Sequence, residues 1–392
     1  MSRQWVLPEV AAIEAEMIAL RRELHARPEL GFEEHATSAL VAAKLESWGY
    51  RVTRGVGGTG VVGTLARGHG ASLGLRADMD ALPIRETTGL PYASRNDGIM
   101  HACGHDGHTA MLLAAARCLA QNAQNARWRG TLHLIFQPAE EGLGGALKMI
   151  EDGLFERFPC NSVFAMHNVP GFPAGQIGVQ SGAFMASADE VTIRVIGRGG
   201  HAAAPQQTID PVVVGASIVM ALQSVVARNV APHEQAVVSV GALHAGSASN
   251  VIAPHADLHL SVRALCAEVR ALLERRIRAL AEGQAASYGA SVEIDYRRGY
   301  PVLVNHDEET AIARRVALDW GGEAMLIDGL RPFMASEDFA YMLERCPGSY
   351  LSIGNGDGAQ HCSLHHPGYD FNDASLAIGA SYWVKLAEHI LQ

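Results

Sequence analysis

The sequence has few of the features that mark nucleic-acid-binding or membrane proteins. It carries a net charge of −10 over 392 residues, without a run rich in Lys or Arg, which argues against a nucleic-acid partner. Charges interrupt the apolar positions of the N-terminal stretch, and no stretch approaches the ~18 apolar residues of a membrane span. We therefore expect no nucleic acid and no membrane among the partners.

Cysteine is also sparse. The six cysteines are widely scattered along the chain rather than grouped at short spacings. This pattern is typical of reduced thiols and not of a disulfide framework. We expect a cytoplasmic protein.

The length and the hydrophobic periodicity indicate two domains. In residues 1–186 and 298–392, short apolar runs alternate with helical stretches, which predicts an α/β domain with a mixed, mostly parallel sheet covered by helices. Residues 187–297 instead predict the order βαββαβ, which is typical of a ferredoxin-like sandwich. We expect the second region to be a domain inserted into the first.

Polar residues that can bind metals follow four of the apolar runs. Ligands of open α/β sheets bind just past the carboxyl ends of the strands, so these residues are expected to converge. They are Asp78 and Asp80, Glu140 and Glu141, His167, and His361 with His365 and His366.

The stretch MHACGHDGH (100–108) contains a possible pair of metal ligands. Cys103 and His105 are two positions apart, so in an extended segment they point to one side, and Gly104 lets the backbone bend. A thiolate and an imidazole suit Zn²⁺, Co²⁺, Ni²⁺ or Mn²⁺ better than Mg²⁺ or Ca²⁺. Asp106 is expected to cap a helix beginning at Gly107. The alternative is a polar turn that holds a buried free thiol.

The adjacent carboxylates Glu140 and Glu141 suggest a division of labour. Neighbouring residues in an extended turn face different directions, so one carboxylate can bind metal while the other moves a proton. The alternative is a pair of exposed glutamates at a strand-to-helix turn.

Three residues of the inserted region are further candidates. His201 is flanked by glycines and small residues in GRGGHAAAP, Asn250 precedes a short apolar patch, and Arg263 ends a predicted strand. Taken alone, each of the three fits a structural role as well as a functional one.

Six segments together resemble a known family. They are GLRADMDALPI, HACGHDGHTAMLL, LIFQPAEEG, GRGGHAAAP, SASNVIAP and LHHPGYDFND. Over roughly residues 10–390 the chain resembles the amidohydrolases of metallopeptidase clan H, family 20 (subfamily D), which include hippurate hydrolases and N-acyl-amino-acid amidohydrolases.

The resemblance implies a catalytic domain with two divalent metal ions (Mn, Zn, Ni or Co) and a ferredoxin-like lid that mediates dimer or tetramer formation. Glu140 would be the general base and acid, and Asp80 would orient the metal ligands. His201 would stabilise the oxyanion, while Asn250 and Arg263 would hold the substrate near its carboxylate. The implied metal ligands are Cys103, His105, Glu141, His167 and His365. The last of these has a histidine neighbour, His366, as the alternative.

The function implied by the resemblance is hydrolysis of the amide bond of N-acyl amino acids. The alternatives are a hydrolytic deaminase, or another C–N hydrolase, using the same metals, and a catalytically silent metal-binding scaffold. Both glutamates of the pair are present, which argues against the scaffold because pure binding needs no unliganded Glu.

Overall fold

The computed structural model describes residues 2–121, 128–358 and 362–392. The helices are α1 (Pro8–Ala11), α2 (Glu14–His25), α3 (His35–Ser47), α4 (His105–Gln121), α5 (Gly145–Glu151), α6 (Leu154–Arg157), α7 (Pro211–Asn229), α8 (Ala267–Ser287), α9 (Asp307–Gly321), α10 (Phe339–Leu343) and α11 (Asp373–Ile390). The strands are β1 (Arg51–Val56), β2 (Gly60–Arg67), β3 (Ser72–Asp78), β4 (Gly130–Gln137), β5 (Ser162–Val169), β6 (Ile177–Gly178), β7 (Gly182–Met185), β8 (Ser187–Ile196), β9 (Gly200–His201), β10 (Ala236–Ala245), β11 (Val251–Ile252), β12 (His255–Ala264), β13 (Ser291–Arg298), β14 (Leu303–Asn305) and β15 (Gly348–Gly354).

The chain forms two compact units. The first contains Met1–Gly182, Val304–Arg331 and Asp338–Gln392. The second contains Ala183–Leu303 and Pro332–Glu337.

The described strands of the first unit include a seven-stranded sheet in the order β1-β2-β4-β3-β5-β15-β6. Its four consecutive strands β4, β3, β5 and β15 are parallel, whereas the outer pairs β1/β2, β2/β4 and β15/β6 are antiparallel. The predicted mixed, mostly parallel α/β class is confirmed. Because the parallel strands run the same way, their carboxyl ends lie at one edge of the sheet.

Burial explains why these segments form the centre of the first unit. Strands β4, β5 and β15 are buried almost throughout, as expected for parallel strands covered on both faces. Helix α4 is buried on nearly every side, including its polar residues His105, Asp106 and His108. A helix buried all round carries its N-terminal residues into the interior, so α4 brings these polar side chains to the sheet edge.

In the second unit, the strands of the four-stranded sheet and the two long helices follow one another as β8-α7-β10-β12-α8-β13, with the short strands β9 and β11 paired separately. The antiparallel sheet has the order β10-β12-β8-β13. Strand β8 alternates between buried and more exposed residues, so one face of the sheet is packed. Helix α7 begins at Pro211, and Asp210 caps it by accepting the N–H of Val212 at 2.9 Å. The expectation that no stretch approaches a membrane span is wrong for α7, which is long and apolar enough by composition to cross a membrane. Ile218 and Leu222 are nevertheless buried in the core that α7 shares with the sheet.

Candidate metal centre

The five ligands that the resemblance implies lie together in the first unit. Sγ of Cys103 lies 3.3 Å from Nε2 of His167, and Oε1 of Glu141 lies 3.3 Å from Nε2 of His365. Ligand atoms of Cys103, His105 and Glu141 all lie within 4.8 Å of one another. Four separate segments of the chain thus contribute to one cluster.

Asp80 fixes the orientation of His105. Its Oδ1 lies 3.1 Å from Nδ1 of His105, and its Oδ2 accepts the N–H of Glu141 at 2.9 Å. A hydrogen bond at Nδ1 leaves Nε2 of His105 directed at the cluster. Burial by itself would lower the pKa of His105, but Asp78 and Asp80 outweigh burial and raise it to about 10.

His167 is oriented in a similar way. Its Nδ1 donates to the backbone carbonyl of Asn168 at 2.8 Å, so Nε2 is the nitrogen that faces Cys103. Burial holds the pKa of His167 well below its ordinary value, which keeps the ring neutral. A neutral imidazole with its second nitrogen hydrogen-bonded is the form that binds metals.

The cluster fits a divalent cation. Nε2 of His105 is buried without a hydrogen-bond partner among the described residues, and Oε1 of Glu141 makes no hydrogen bond there beyond its close approach to His365. Burial raises the pKa of the Cys103 thiol well above its ordinary value, and the charges of Glu141 and Glu140 raise it further. The centre therefore combines negatively charged side chains with a buried ligand atom that has no hydrogen-bond partner among the described residues. A bound cation would neutralise the charge and pair with that atom.

Gly104 allows the backbone to bend between the two ligands of its segment. Its φ is +92°, in the left-handed region that glycine adopts most easily. A Cβ at this position would lie 2.3 Å from Oδ1 of Asn168 and 2.7 Å from the hydroxyl of Tyr369. Only glycine therefore lets these two polar side chains pack behind Cys103 and His105.

His365, rather than His366, faces the cluster. The backbone N–H of His365 donates to the carbonyl of Ala102 at 2.8 Å, which joins it to the Cys103 segment. His365 has a φ of +64°, an unusual conformation for a residue with a side chain. Nδ1 of His366 instead accepts the N–H of Gly368 at 3.0 Å. His361 lies outside the described residues.

Glu140 is buried on the turn between β4 and α5. One of its carboxylate oxygens lies within 4.8 Å of a carboxylate oxygen of Asp338. Asp338 in turn accepts from Nε2 of Gln137 at 2.8 Å and from the N–H of Ala146 at 2.8 Å. The structure places both glutamates of the pair at the end of β4, with only Glu141 among the ligand atoms grouped with Cys103.

His108 belongs to a buried hydrogen-bond network beside the cluster, and it is not among the candidate residues taken from the sequence. Its Nδ1 lies 2.6 Å from Oδ1 of Asp78, and its Nε2 lies 2.6 Å from Oδ1 of Asn168. Its ring centroid lies 4.5 Å from that of His167. The i, i+3 spacing of His105 and His108 on a helix was the sequence signal for this arrangement.

The prediction for Asp106 was wrong. Helix α4 begins at His105, not at Gly107, so Asp106 lies inside its first turn, and Oδ1 of Asp106 accepts no hydrogen bond from the described residues. The Asp106 carboxylate instead lies 2.8 Å from Nδ1 of His25 and 3.4 Å from Nη1 of Arg21. These partners lie some eighty residues away in sequence, and local capping rules do not account for them.

The remaining predicted residues lie in the second unit. His201 and Asn250 are neighbours there, since β9 pairs with β11 and the N–H of Ala202 donates to the carbonyl of Asn250 at 3.1 Å. Arg263 is half-buried on β12 and donates to the hydroxyl of Ser336 at 3.0 Å.

Known proteins resemble this chain over nearly its full length. It is 46% identical to a hippurate hydrolase of Campylobacter jejuni, with 97% of this chain and 98% of the relative covered. It is 38% identical to the N-acetyl-L-cysteine deacetylase of Bacillus subtilis, over 96% of this chain and 88% of the relative. The solved structure of the Bacillus subtilis YXEP protein, a dinuclear metal binding peptidase, matches with a TM-score of 0.85 and 34% identity, over 97% of this chain and 99% of that one. The model of Peptidase family M20/M25/M40 matches residues 74–389, and the chain belongs to this family.

Proposed function

We propose that the protein hydrolyses the amide bond of N-acyl amino acids, such as N-benzoyl or N-acetyl derivatives, and releases a carboxylic acid and a free amino acid. One observation carries the proposal: side chains from four separate segments of the chain meet in a largely buried cluster of Cys, His and Glu, with the buried carboxylate of Glu140 next to Glu141. The activities in the names of the hippurate hydrolase and the N-acetyl-L-cysteine deacetylase support the same class of reaction.

Cys103, His105, Glu141, His167 and His365 would hold the metals. Bound divalent ions would supply Lewis acidity and would make water a stronger acid. The thiol and imidazole ligands favour Zn, Mn, Co or Ni. We propose two ions per subunit, in line with the dinuclear relative.

Glu140 is the proposed proton carrier. Its carboxylate would accept a proton from the attacking water and deliver it to the departing amine nitrogen as the C–N bond breaks. This transfer turns the amide and water into a carboxylic acid and an amine, which balances the reaction. The acid then loses its proton, which the amine takes up, so the products leave as a carboxylate and an ammonium. The buried position of Glu140 beside Glu141 supports this role.

His201 is suited to stabilise the oxyanion that develops on the acyl carbonyl. The N–H of Ala203 donates to Nδ1 of His201 at 3.0 Å. In the neutral ring this leaves the proton on Nε2, and the ring is exposed and free to donate it. An N–H donor directed at the developing negative charge contributes more in the transition state than in the ground state.

Asn250 and Arg263 are proposed to hold the substrate carboxylate. Arg263 donates to Ser336 through one terminal nitrogen, and a guanidinium has further N–H groups that can pair with an anion. Burial lowers the pKa of Arg263, but an arginine stays charged at neutral pH.

We propose that the second unit forms a homodimer. Met220 and Val213 on α7 are 72% and 51% exposed, which is unusual for large apolar side chains. The edge strand β10 exposes Leu243 beside them in the same unit. Light scattering on the wild type and on Met220→Glu tests this. The wild type should have the mass of a dimer and the variant should shift toward the mass of a monomer, so equal masses of the two proteins would contradict the proposal.

A cytoplasmic location is also proposed. All six cysteines are free thiols in the structure, which is what a reducing compartment maintains. Fractionation of cells that express the tagged protein, with a periplasmic marker enzyme alongside, tests this location.

A substrate panel tests the proposed function directly. Protein stripped with a chelator is reloaded separately with Mn²⁺, Zn²⁺, Co²⁺ or Ni²⁺ and assayed on hippurate, several N-acetyl amino acids and several arylamines. The expected result is release of a carboxylic acid from the N-acyl amino acids after reloading. Ammonia release without a carboxylic acid product would instead favour a deaminase, and metal binding without any turnover would favour a silent scaffold.

A further inference from the structure

The turn that carries Glu140 contains an unusual backbone conformation one residue earlier. Ala139 has a φ of +52°, in the left-handed region that residues with a side chain rarely adopt. It is fully buried between Pro138 and Glu140. Such a conformation persists only where the surroundings hold it, and it changes the direction in which the next side chain leaves the backbone.

A buried carboxylate holds Ala139 in place. Oε1 of Glu34 accepts the N–H of Ala139 at 2.8 Å, and Oε2 of Glu34 accepts the hydroxyl of Thr59. On the other side, the carbonyl of Ala139 accepts the N–H of Gly145 at 3.0 Å. Gly31 packs so closely that a Cβ there would lie 3.0 Å from Cα of Ala139.

A second carboxylate holds the residue after Glu140. Oδ2 of Asp80 accepts the N–H of Glu141 at 2.9 Å. The peptide N–H groups on both sides of Glu140 therefore donate to buried carboxylates, Glu34 before it and Asp80 after it. This arrangement fixes the backbone from which the Glu140 side chain projects.

The burial of Glu34 lowers the stability of the fold, which a purely structural role does not explain. Glu34 is fully buried, its carboxylate accepts hydrogen bonds from Thr59 and from the N–H of Ala139, and among the described residues no cation forms an ion pair with it. Burial raises its pKa above the ordinary value for glutamate. A buried carboxyl group without a cation is destabilising, so its presence calls for a role that an apolar side chain would not fill.

We propose that Glu34 is a positioning residue for the reaction, which acts by holding Ala139 in the left-handed conformation and so directing the carboxylate of Glu140. This inference rests on the proposed function, because it takes Glu140 as the proton carrier. The hydrogen bonds of the Glu34 carboxylate go to Thr59 and Ala139, neither of which is a proposed metal ligand. Its loss should therefore slow the chemical step without emptying the metal centre.

The test compares Glu34→Ala with Glu33→Ala, a control at the exposed neighbouring glutamate. Misplacement of a reacting group by about 1 Å costs on the order of 10²-fold in rate, so kcat on an N-acyl amino acid should fall about 10- to 100-fold in Glu34→Ala. KM and the metal content, measured by mass spectrometry, should match the control. Glu34→Gln keeps an oxygen acceptor for the N–H of Ala139 and should retain most of the activity.

Two double variants separate positioning from general destabilisation. Ala139→Gly removes the penalty for a positive φ, so it should restore part of the kcat lost in Glu34→Ala. In a Glu140→Gln background, Glu34→Ala should cause no further loss, because the group through which it acts is already absent. If Glu34→Ala does not fold, Thr59→Val tests the same contact and should lower kcat in the same direction by a smaller factor.

The inference is overturned if Glu34→Ala matches Glu33→Ala in kcat, if its loss of kcat is additive with Glu140→Gln, or if metal is lost together with activity. A Glu140→Gln variant with full activity would instead show that the proposed proton carrier is wrong. The two failures are thus distinguishable.

Discussion

The carboxylate of Asp80 lies 3.1 Å from Nδ1 of His105. Its second oxygen accepts the peptide N–H of Glu141, so one side chain joins two of the proposed ligands, which lie on different elements. This contact joins the segment after β3 to the start of α4 and to the turn after β4. The geometry of the centre therefore depends on a residue that need not touch metal.

Asp80→Ala should weaken metal binding without abolishing the fold. Loss of a carboxylate that orients a histidine ligand lowers metal affinity by roughly 10- to 100-fold. Titration calorimetry with Zn²⁺ or Mn²⁺ on stripped protein measures this change. Asp97→Ala is the matched control, since Asp97 is exposed and forms an ion pair with Arg85 at the surface. Equal affinities of the two variants would contradict the role of Asp80.

Glu140→Gln should leave the metal centre occupied and lower kcat by about 10²- to 10⁴-fold, the usual contribution of a general acid or base. The amide keeps the size of the side chain but cannot carry the proton. Metal analysis and steady-state kinetics on one preparation check both parts. Glu141→Gln is the comparison: it should lose metal as well as activity, because Glu141 is a proposed ligand. A Glu140→Gln variant with unchanged kcat would refute the assignment.

The fold class and the grouping of the proposed metal ligands can be predicted from the sequence for the same reason. Buried parallel strands appear in the sequence as short apolar runs. The residues at the carboxyl ends of such strands lie at one edge of the sheet, so the runs that precede Glu141 and contain His167 predict where these two residues lie. The alternation of buried and exposed residues in β8 is likewise readable without a structure.

Contacts between distant polar residues could not be predicted. The pairing of Asp106 with His25 and the packing of Asn168 behind Gly104 depend on how α2 and β5 pack, and no local pattern encodes them. The left-handed conformation of Ala139 could not be predicted either, because alanine gives no local signal for a positive φ.

His201→Ala should lower kcat by about 10²- to 10³-fold, as the loss of an oxyanion donor does in other hydrolases. His201 is exposed, so its removal should leave the unfolding midpoint unchanged. His233→Ala is a suitable control because His233 is an exposed histidine of the same unit. If both variants retain wild-type kcat, His201 has no part in the reaction.

The contribution of His25 to the stability of the metal-free protein should be lost at alkaline pH. Burial alone would lower the pKa of His25, but the Asp106 carboxylate, with Glu86, outweighs burial and raises it to about 9. The unfolded value is about 6.5, so the stabilisation is fully present below pH 6.5 and is lost as the pH rises through 9.

The gap between these two pKa values corresponds to about 3 kcal/mol. Urea unfolding of wild type and His25→Gln at pH 6 and pH 9.5, with chelator present, should show a larger difference in the free energy of unfolding at pH 6. A difference that stays constant or grows with pH would show that the charged form of His25 is not what stabilises the fold.

Gly104→Ala should lower stability and metal affinity more than Gly49→Ala, a replacement with the same backbone strain. Both Gly104 and Gly49 have a positive φ, +92° and +87°, so alanine at either position costs about 1–2 kcal/mol for the left-handed conformation. A Cβ at Gly49 meets no atom within 4 Å, whereas at Gly104 it would overlap Asn168 and Tyr369. Overpacking of this kind adds about 1–3 kcal/mol. Gly104→Ala should therefore unfold at lower urea than Gly49→Ala and also bind metal more weakly, since relief of the clash must move Cys103 or His105. Equal metal affinities in the two variants would mean that the bend at Gly104 is not needed to present these ligands.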